Sequence, residues 1–221
     1  MLSQKQLSAL KSLLFVACLL PLARLGWGSW SDQLGANPIE FITRSLGTWT
    51  LNFLLITLAI SPLRKLTGWH WLLRLRRMLG LFAFFYVVLH LATYLWLDQF
   101  FDWPAILKDI LKRPFITVGM SAFVLLVPLA ATSSNAMIRR LGGKRWQQLH
   151  RSIYAIAIFA VVHYWWLVKQ DVTLPAVYAL LLALLLGVRA LWREQERRRQ
   201  LACVKPRTKE RDKVIPIIAR Q

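Results

Sequence analysis

Cysteine is nearly absent from this chain, and so is acidic charge. Only two cysteines stand among 221 residues, Cys18 in an apolar run and Cys203 in a basic tail. They are placed too far apart to meet, so no disulfide framework holds the fold. No CxxC or CxxCH occurs, which leaves a covalently attached c-type group and a cysteine-ligated cluster without support. No GxGxxG, Walker motif or other nucleotide-binding stretch occurs, and neither a soluble domain nor an internal repeat is detectable.

Acids number 10 against 29 basic residues, a net charge of +19. Such basicity can point to nucleic acid, but here the basic residues flank apolar segments, where headgroups and topology demand them. The chain is 57% apolar, with a mean hydropathy of +0.44. These values exclude one ordinary soluble domain and fit an all-α polytopic membrane protein.

Six apolar segments predict a six-helix transmembrane bundle: Leu13–Trp30, Leu46–Leu63, Met78–Leu97, Phe115–Thr132, Ile153–Val168 and Leu174–Trp192. Several are short against the roughly 20 residues that cross about 30 Å of hydrocarbon. The first has no obvious cleavage site and reads as a retained span. Arg24 near its end can snorkel to the interface, and Pro21 and Pro128 are tolerable kink sites. The connections 1–12, 64–77, 133–152 and 193–221, with Arg189, hold 23 of the 29 basic residues, and the opposite loops hold five. The positive-inside rule puts both termini in the cytoplasm. Trp27, Trp30, Trp96, Phe100, Phe101, Trp103, Trp165 and Trp166 cluster at the outer face as an interfacial belt. Ala105 to Leu111 reads as a short amphipathic helix on the membrane. The tail from Leu201 is polar and basic and is expected to be disordered or lipid-associated.

Histidine is also scarce, with four copies, and three of them sit at telling heights. His90 and His163 lie well along the third and fifth spans, which run in the same direction. They reach similar depth toward the outer face, as bis-imidazole ligation of one haem between two helices requires. Histidine is costly in hydrocarbon and is the commonest metal ligand. His150 lies 13 residues before His163, about 20 Å of helical rise, at the height of a second haem. That spacing points the two side chains roughly 140° apart on an ideal helix. Either His150 precedes the regular helix, or the helix is distorted, or the ligands face different directions. Alone, His150 reads equally as an interfacial residue among basic neighbours. His70, between Trp69 and Trp71, reads as a headgroup-level residue.

Several stretches carry a resemblance. They are RRMLGL from Arg76 to Leu81 leading to His90, KRPFITVG from Lys112 to Gly119, and Ala131 to Ser133. Trp146 to His150, continuing through Tyr154 to His163, and Gly47 to Leu63 complete the set. Over about residues 5–192 the chain resembles the MsrQ family, haem-binding membrane subunits of periplasmic methionine sulfoxide reductase systems. The wider group is the ferric-reductase-like transmembrane domain. The resemblance implies a haem domain over 1–192, a basic cytoplasmic tail over 193–221 and a bacterial inner-membrane location. It also implies non-covalent b-type haem and associated FMN. Electrons would come from a cytoplasmic flavin reductase or the quinone pool and go to a periplasmic molybdenum-cofactor reductase. The wider group uses two histidine pairs on the third and fifth spans. Here Arg77 or its neighbours stand where the inner histidine of the third span is expected. Guanidinium stays protonated and is a poor iron ligand. Arg74, Arg76 and Arg77 therefore read as partners for haem propionates or flavin phosphate, or as topology-setting charge.

The function expected is a transmembrane electron conduit with His90, His163 and His150 as metal ligands. No group reads as a substrate-level acid, base or nucleophile. A transporter or proton channel using the same histidines as a relay is the rival, and it needs polar residues along the spans. A bare membrane anchor for the reductase is a third possibility.

Overall fold

The computed structural model describes residues 3–203 and is helical throughout, with no strand among the described residues. The expected tail beyond Cys203 lies outside the described residues. By internal contacts the described residues divide into two units, one ending at Leu186 and the other starting at Gly187.

Local chemistry explains where the helices begin and end. α1 (Gln4–Trp30) opens on a capping box: Gln6 N–H donates to the Ser3 hydroxyl at 3.2 Å, and Ser3 N–H donates to Gln6 Oε1 at 2.8 Å. α2 (Pro38–Thr67) is capped by Asn37, starts on proline and stops at Gly68, whose φ of +75° suits glycine. A 3-10 turn (His70–Arg74) leads into α3 (Arg76–Thr93), which runs on through a π turn (Tyr94–Asp98). Two exposed aromatic residues then take left-handed backbone, Phe100 at φ +48° and Phe101 at φ +59°. The surface helix expected over Ala105 to Leu111 is α4 (Trp103–Lys112), where the Asp102 side chain accepts from Ala105 N–H at 3.1 Å.

α5 (Pro114–Ala131) is followed by two short helices, α6 (Asn135–Leu141) and α7 (Gly143–His150). α8 (Ile153–Leu167) and α9 (Thr173–Cys203) complete the chain. The second unit carries the end of α9, where Glu194 binds Arg197 at 2.9 Å and Arg198 at 2.8 Å.

Among the described residues, five helices are long and apolar enough to cross a membrane: α1, α2, α3 with its π turn, α5 and α9. The fifth expected span, α8, has only 15 residues, about 22 Å of rise against about 30 Å of hydrocarbon. It is short because the helix breaks at Arg151 and Ser152, leaving α7 as a separate piece. Exposed Leu13, Phe15, Val16 and Leu20 on α1 and Leu180 and Leu184 on α9 form apolar surface that belongs against lipid. The chain is a multi-pass membrane protein.

α3 packs chiefly on α2, and α8 on α5. Leu54, Leu58, Tyr86 and Ile156 are buried at the centre. Ala83 and Ala157 have no exposed surface, and small residues of this kind let helices approach closely in lipid. The Tyr86 hydroxyl donates to the Cys18 carbonyl at 2.7 Å, fastening α1 to α3.

Candidate functional site

The two helix pairs each present one histidine held in the same way. His90, in the last turn of α3, places Nδ1 2.8 Å from the Thr43 carbonyl of α2. His163, on α8, places Nδ1 2.7 Å from the Phe115 carbonyl of α5. A carbonyl only accepts, so each Nδ1 carries the proton and each Nε2 keeps its lone pair. This is the outer hydrogen bond that orients a metal-ligating imidazole.

One turn beyond each accepting carbonyl stands a glycine. A Cβ on Gly47 would lie 3.1 Å from Cε1 of His90 and 3.2 Å from its Nδ1. A Cβ on Gly119 would lie 2.7 Å from Nδ1 of His163 and 2.9 Å from its Cε1. The same device is therefore built twice: an accepting carbonyl, a glycine four residues later, and an imidazole laid against the bare backbone. This structural repetition has no counterpart in the sequence pattern, and neither glycine was among the candidate site residues.

The two imidazoles meet with ring centroids 6.1 Å apart at an interplanar angle of 78°. Two metal–imidazole bonds of about 2 Å, with half a ring behind each, put ring centres roughly 6 Å apart. The matched depth expected from sequence is thus a direct pairing. Among the described residues no three His, Cys, Asp or Glu side chains gather as a metal site. Two imidazoles with no third protein ligand suit a group that brings its own equatorial donors, as haem does. Both rings line a cavity of about 520 Å³ walled by Leu51, Leu54, Val87, Phe123 and Ile156, within the usual range for a cofactor site. Arg44, Arg113, Glu40 and Asp98 also line it.

A second cavity of about 300 Å³ is lined by Arg76, Arg77, Thr57, Ser133, Trp146 and His150. His150 ends α7 ahead of the break, so it precedes the regular helix of α8, one of the three arrangements its spacing allowed. Its ring stacks on Trp146 at 3.9 Å, and its Nδ1 lies 3.1 Å from the Trp146 carbonyl. Trp146 is fixed in turn by donating Nε1–H to the Thr132 carbonyl at 2.9 Å. Nε2 of His150 and the hydroxyl of Thr57 are buried without hydrogen bonds. Burial pushes the His150 imidazole below its ordinary pKa, the Trp146 and Leu129 carbonyls push it up, and Arg76 adds to the lowering.

The three arginines are not brought together. Arg76 and Arg77 line the second cavity, and Arg77 also donates to Asn135 Oδ1 at 2.5 Å. Arg74 instead donates to Gln4 Oε1 at 3.0 Å, outside the residues that line that cavity. His70 stays in the 3-10 turn, away from both cavities. Besides the glycines, the sequence reading missed Thr57, Trp146, Arg44 and Arg113. Trp146 was visible in its motif, but its stacking partner was not.

The family described as ferric reductase like transmembrane component matches residues 44–161. That span contains His90 and His150 and stops just short of His163. A protein-methionine-sulfoxide reductase heme-binding subunit MsrQ of Azospira oryzae is 66% identical over 194 residues, 87% of this chain and 82% of that protein. The chain belongs to the MsrQ family. The protein of that name from Herminiimonas arsenicoxydans is 60% identical over 197 residues, 88% of this chain and 90% of its own length. The one from Bordetella pertussis is 54% identical over 198 residues, covering 88% and 96%. The similarity reaches well beyond the family match on either side, so the helices carrying all three histidines belong to the shared architecture.

Proposed function

We propose that this chain is a transmembrane electron conduit built on b-type haem, the membrane subunit of a methionine sulfoxide reductase system. The observation that carries the proposal is the His90–His163 pair. The rings lie 6.1 Å apart, and each Nδ1 is committed to a backbone carbonyl. The printed names of the relatives, heme-binding subunits of protein-methionine-sulfoxide reductase, support the choice of group.

Bound there, haem supplies a one-electron couple. The chain's own residues do the rest. His90 and His163 hold the iron, and Thr43 and Phe115 fix their tautomers. Gly47 and Gly119 leave room for the rings, and the apolar wall keeps water from the site. On the cytoplasmic side His150 is assigned as a ligand of a second haem. Arg76 and Arg77 are assigned to its propionates or to the phosphate of FMN. Arg74, engaged with Gln4, supports α1 instead.

The donor assigned is a cytoplasmic flavin reductase or the quinone pool. The acceptor is a periplasmic molybdenum-cofactor methionine sulfoxide reductase docked on the outer loops, which serves the repair of oxidised periplasmic proteins. Inner-membrane residence is assigned by family resemblance, and the basic connections support placing both termini in the cytoplasm. An electron crossing outward in an energised membrane gains roughly 2.3 kcal/mol per 100 mV, so the field favours this direction.

The test is electron transfer into sealed vesicles. Proteoliposomes holding trapped ferricyanide and the full chain, given reduced flavin outside, are expected to reduce the ferricyanide. His90→Ala and His163→Ala are expected to slow this at least tenfold. Rates unchanged in both variants, or a wild-type protein without a Soret band, would refute the conduit and favour a relay channel or an anchor.

A further inference from the structure

We propose that Arg44 and Arg113 bind the two carboxylate side chains of the haem held between His90 and His163, a reading that rests on assigning those histidines as its ligands. The cavity containing both rings is mostly apolar, and among the described residues Arg44 and Arg113 are the only lysine or arginine residues that line it. They come from the two different helix pairs. Arg44 follows Thr43, the residue whose carbonyl orients His90, and Arg113 stands two residues before Phe115, whose carbonyl orients His163. Each arginine is thus tied by short lengths of backbone to the anchor of one histidine.

Both arginines already hold carboxylates. Arg44 pairs with Glu40 at 2.5 Å and Arg113 with Asp109 at 3.4 Å, each one helical turn away, and both guanidinium side chains are more than half exposed although Asp109 is mostly buried. An exposed pair of this spacing, such as Arg44 with Glu40, contributes only about 0.3–0.5 kcal/mol. A ligand carboxylate presented from within the cavity can replace such a pair at little cost. Guanidinium suits the task, because its planar fork meets a carboxylate through two parallel hydrogen bonds. A mostly apolar chamber whose lining offers two guanidinium groups, beside the acids Glu40 and Asp98, matches a flat apolar ligand that carries two anions. The carboxylates would meet Arg44 in the second turn of α2 and Arg113 at the start of α5.

The test compares haem with its dimethyl ester, in which both carboxylates are capped. Full-length chain produced under haem limitation is reconstituted with either ligand, and its release to apomyoglobin is timed. Wild type is expected to release the ester about tenfold faster than haem, one decade in rate being a modest charge-assisted contact. Arg44→Gln and Arg113→Gln each release haem several-fold faster, and the double variant releases both ligands at one rate. Arg44→Lys and Arg113→Lys keep most of the discrimination. Lys108→Gln, on α4 and outside the cavity lining, behaves as wild type. Equal release of the two ligands by wild type, or undiminished discrimination by the double variant, overturns the arginine assignment alone. If His90→Ala and His163→Ala leave the bound spectrum unchanged, the ligand assignment fails and this proposal falls with it.

Discussion

His90 and His163 were conspicuous in the sequence because an imidazole in a span needs a reason. The residues that make them usable were not. Thr43 and Phe115 act through backbone carbonyls, which any residue supplies. Gly47 and Gly119 act by lacking a side chain. Apart from standing at the ends of two resemblance motifs, they are marked only by a position inside a helix, where glycine costs about 1 kcal/mol relative to alanine. That cost makes the substitutions informative. At Gly119 a Cβ would sit 2.7 Å from the His163 ring, whereas at Gly47 the nearest His90 atom is 3.1 Å away. Gly119→Ala is expected to destabilise the haem-loaded protein by about 1–3 kcal/mol despite the better helix propensity. Gly47→Ala is expected to fall within about 1 kcal/mol of wild type, crowding and propensity nearly cancelling. Thermal unfolding followed at the Soret band checks both.

The apolar segments foretold the helices well, because uninterrupted hydrophobic runs leave few alternatives in lipid. The short surface helix was also legible, from the amphipathic pattern over Ala105 to Leu111. The start of α8 at Ile153 was legible as the start of the fifth apolar segment, and His150 ahead of the regular helix was one of three arrangements its spacing left open, although no proline or glycine marks the break at Arg151 and Ser152. The fastening of α1 was hidden, since the Tyr86 hydroxyl reaches a carbonyl 68 positions away. Tyr86→Phe removes that bond while keeping the ring, and is expected to cost about 0.5–1.5 kcal/mol. Chemical or thermal unfolding in detergent measures it.

Over the whole chain, basic residues collect in alternate connections of the sequence and exposed Trp96, Phe100 and Trp103 stand in the others, a pattern that predicts opposite sides of a membrane. Alkaline phosphatase fused within 31–37 or 98–102 is expected to be active, and fused within 133–142 or after 203 to be inactive. The opposite pattern would reverse the electron path. The surroundings of His150 were less legible. The missing histidine was evident, but not that Arg76, Arg77, Thr57 and His150 would line one cavity. Sequence separation hides which residues of the three helices α2, α3 and α7 converge.

The reduced-minus-oxidised spectrum of the purified full chain, with haem and flavin quantified per polypeptide, tests the central assignment most directly. Wild type is expected to carry at least one b-type haem with a bis-imidazole spectrum. His90→Ala and His163→Ala are each expected to lose the same spectral component, while His150→Ala leaves that component in place and removes or alters a second. Wild-type haem content and spectrum in both His90→Ala and His163→Ala would contradict the pairing.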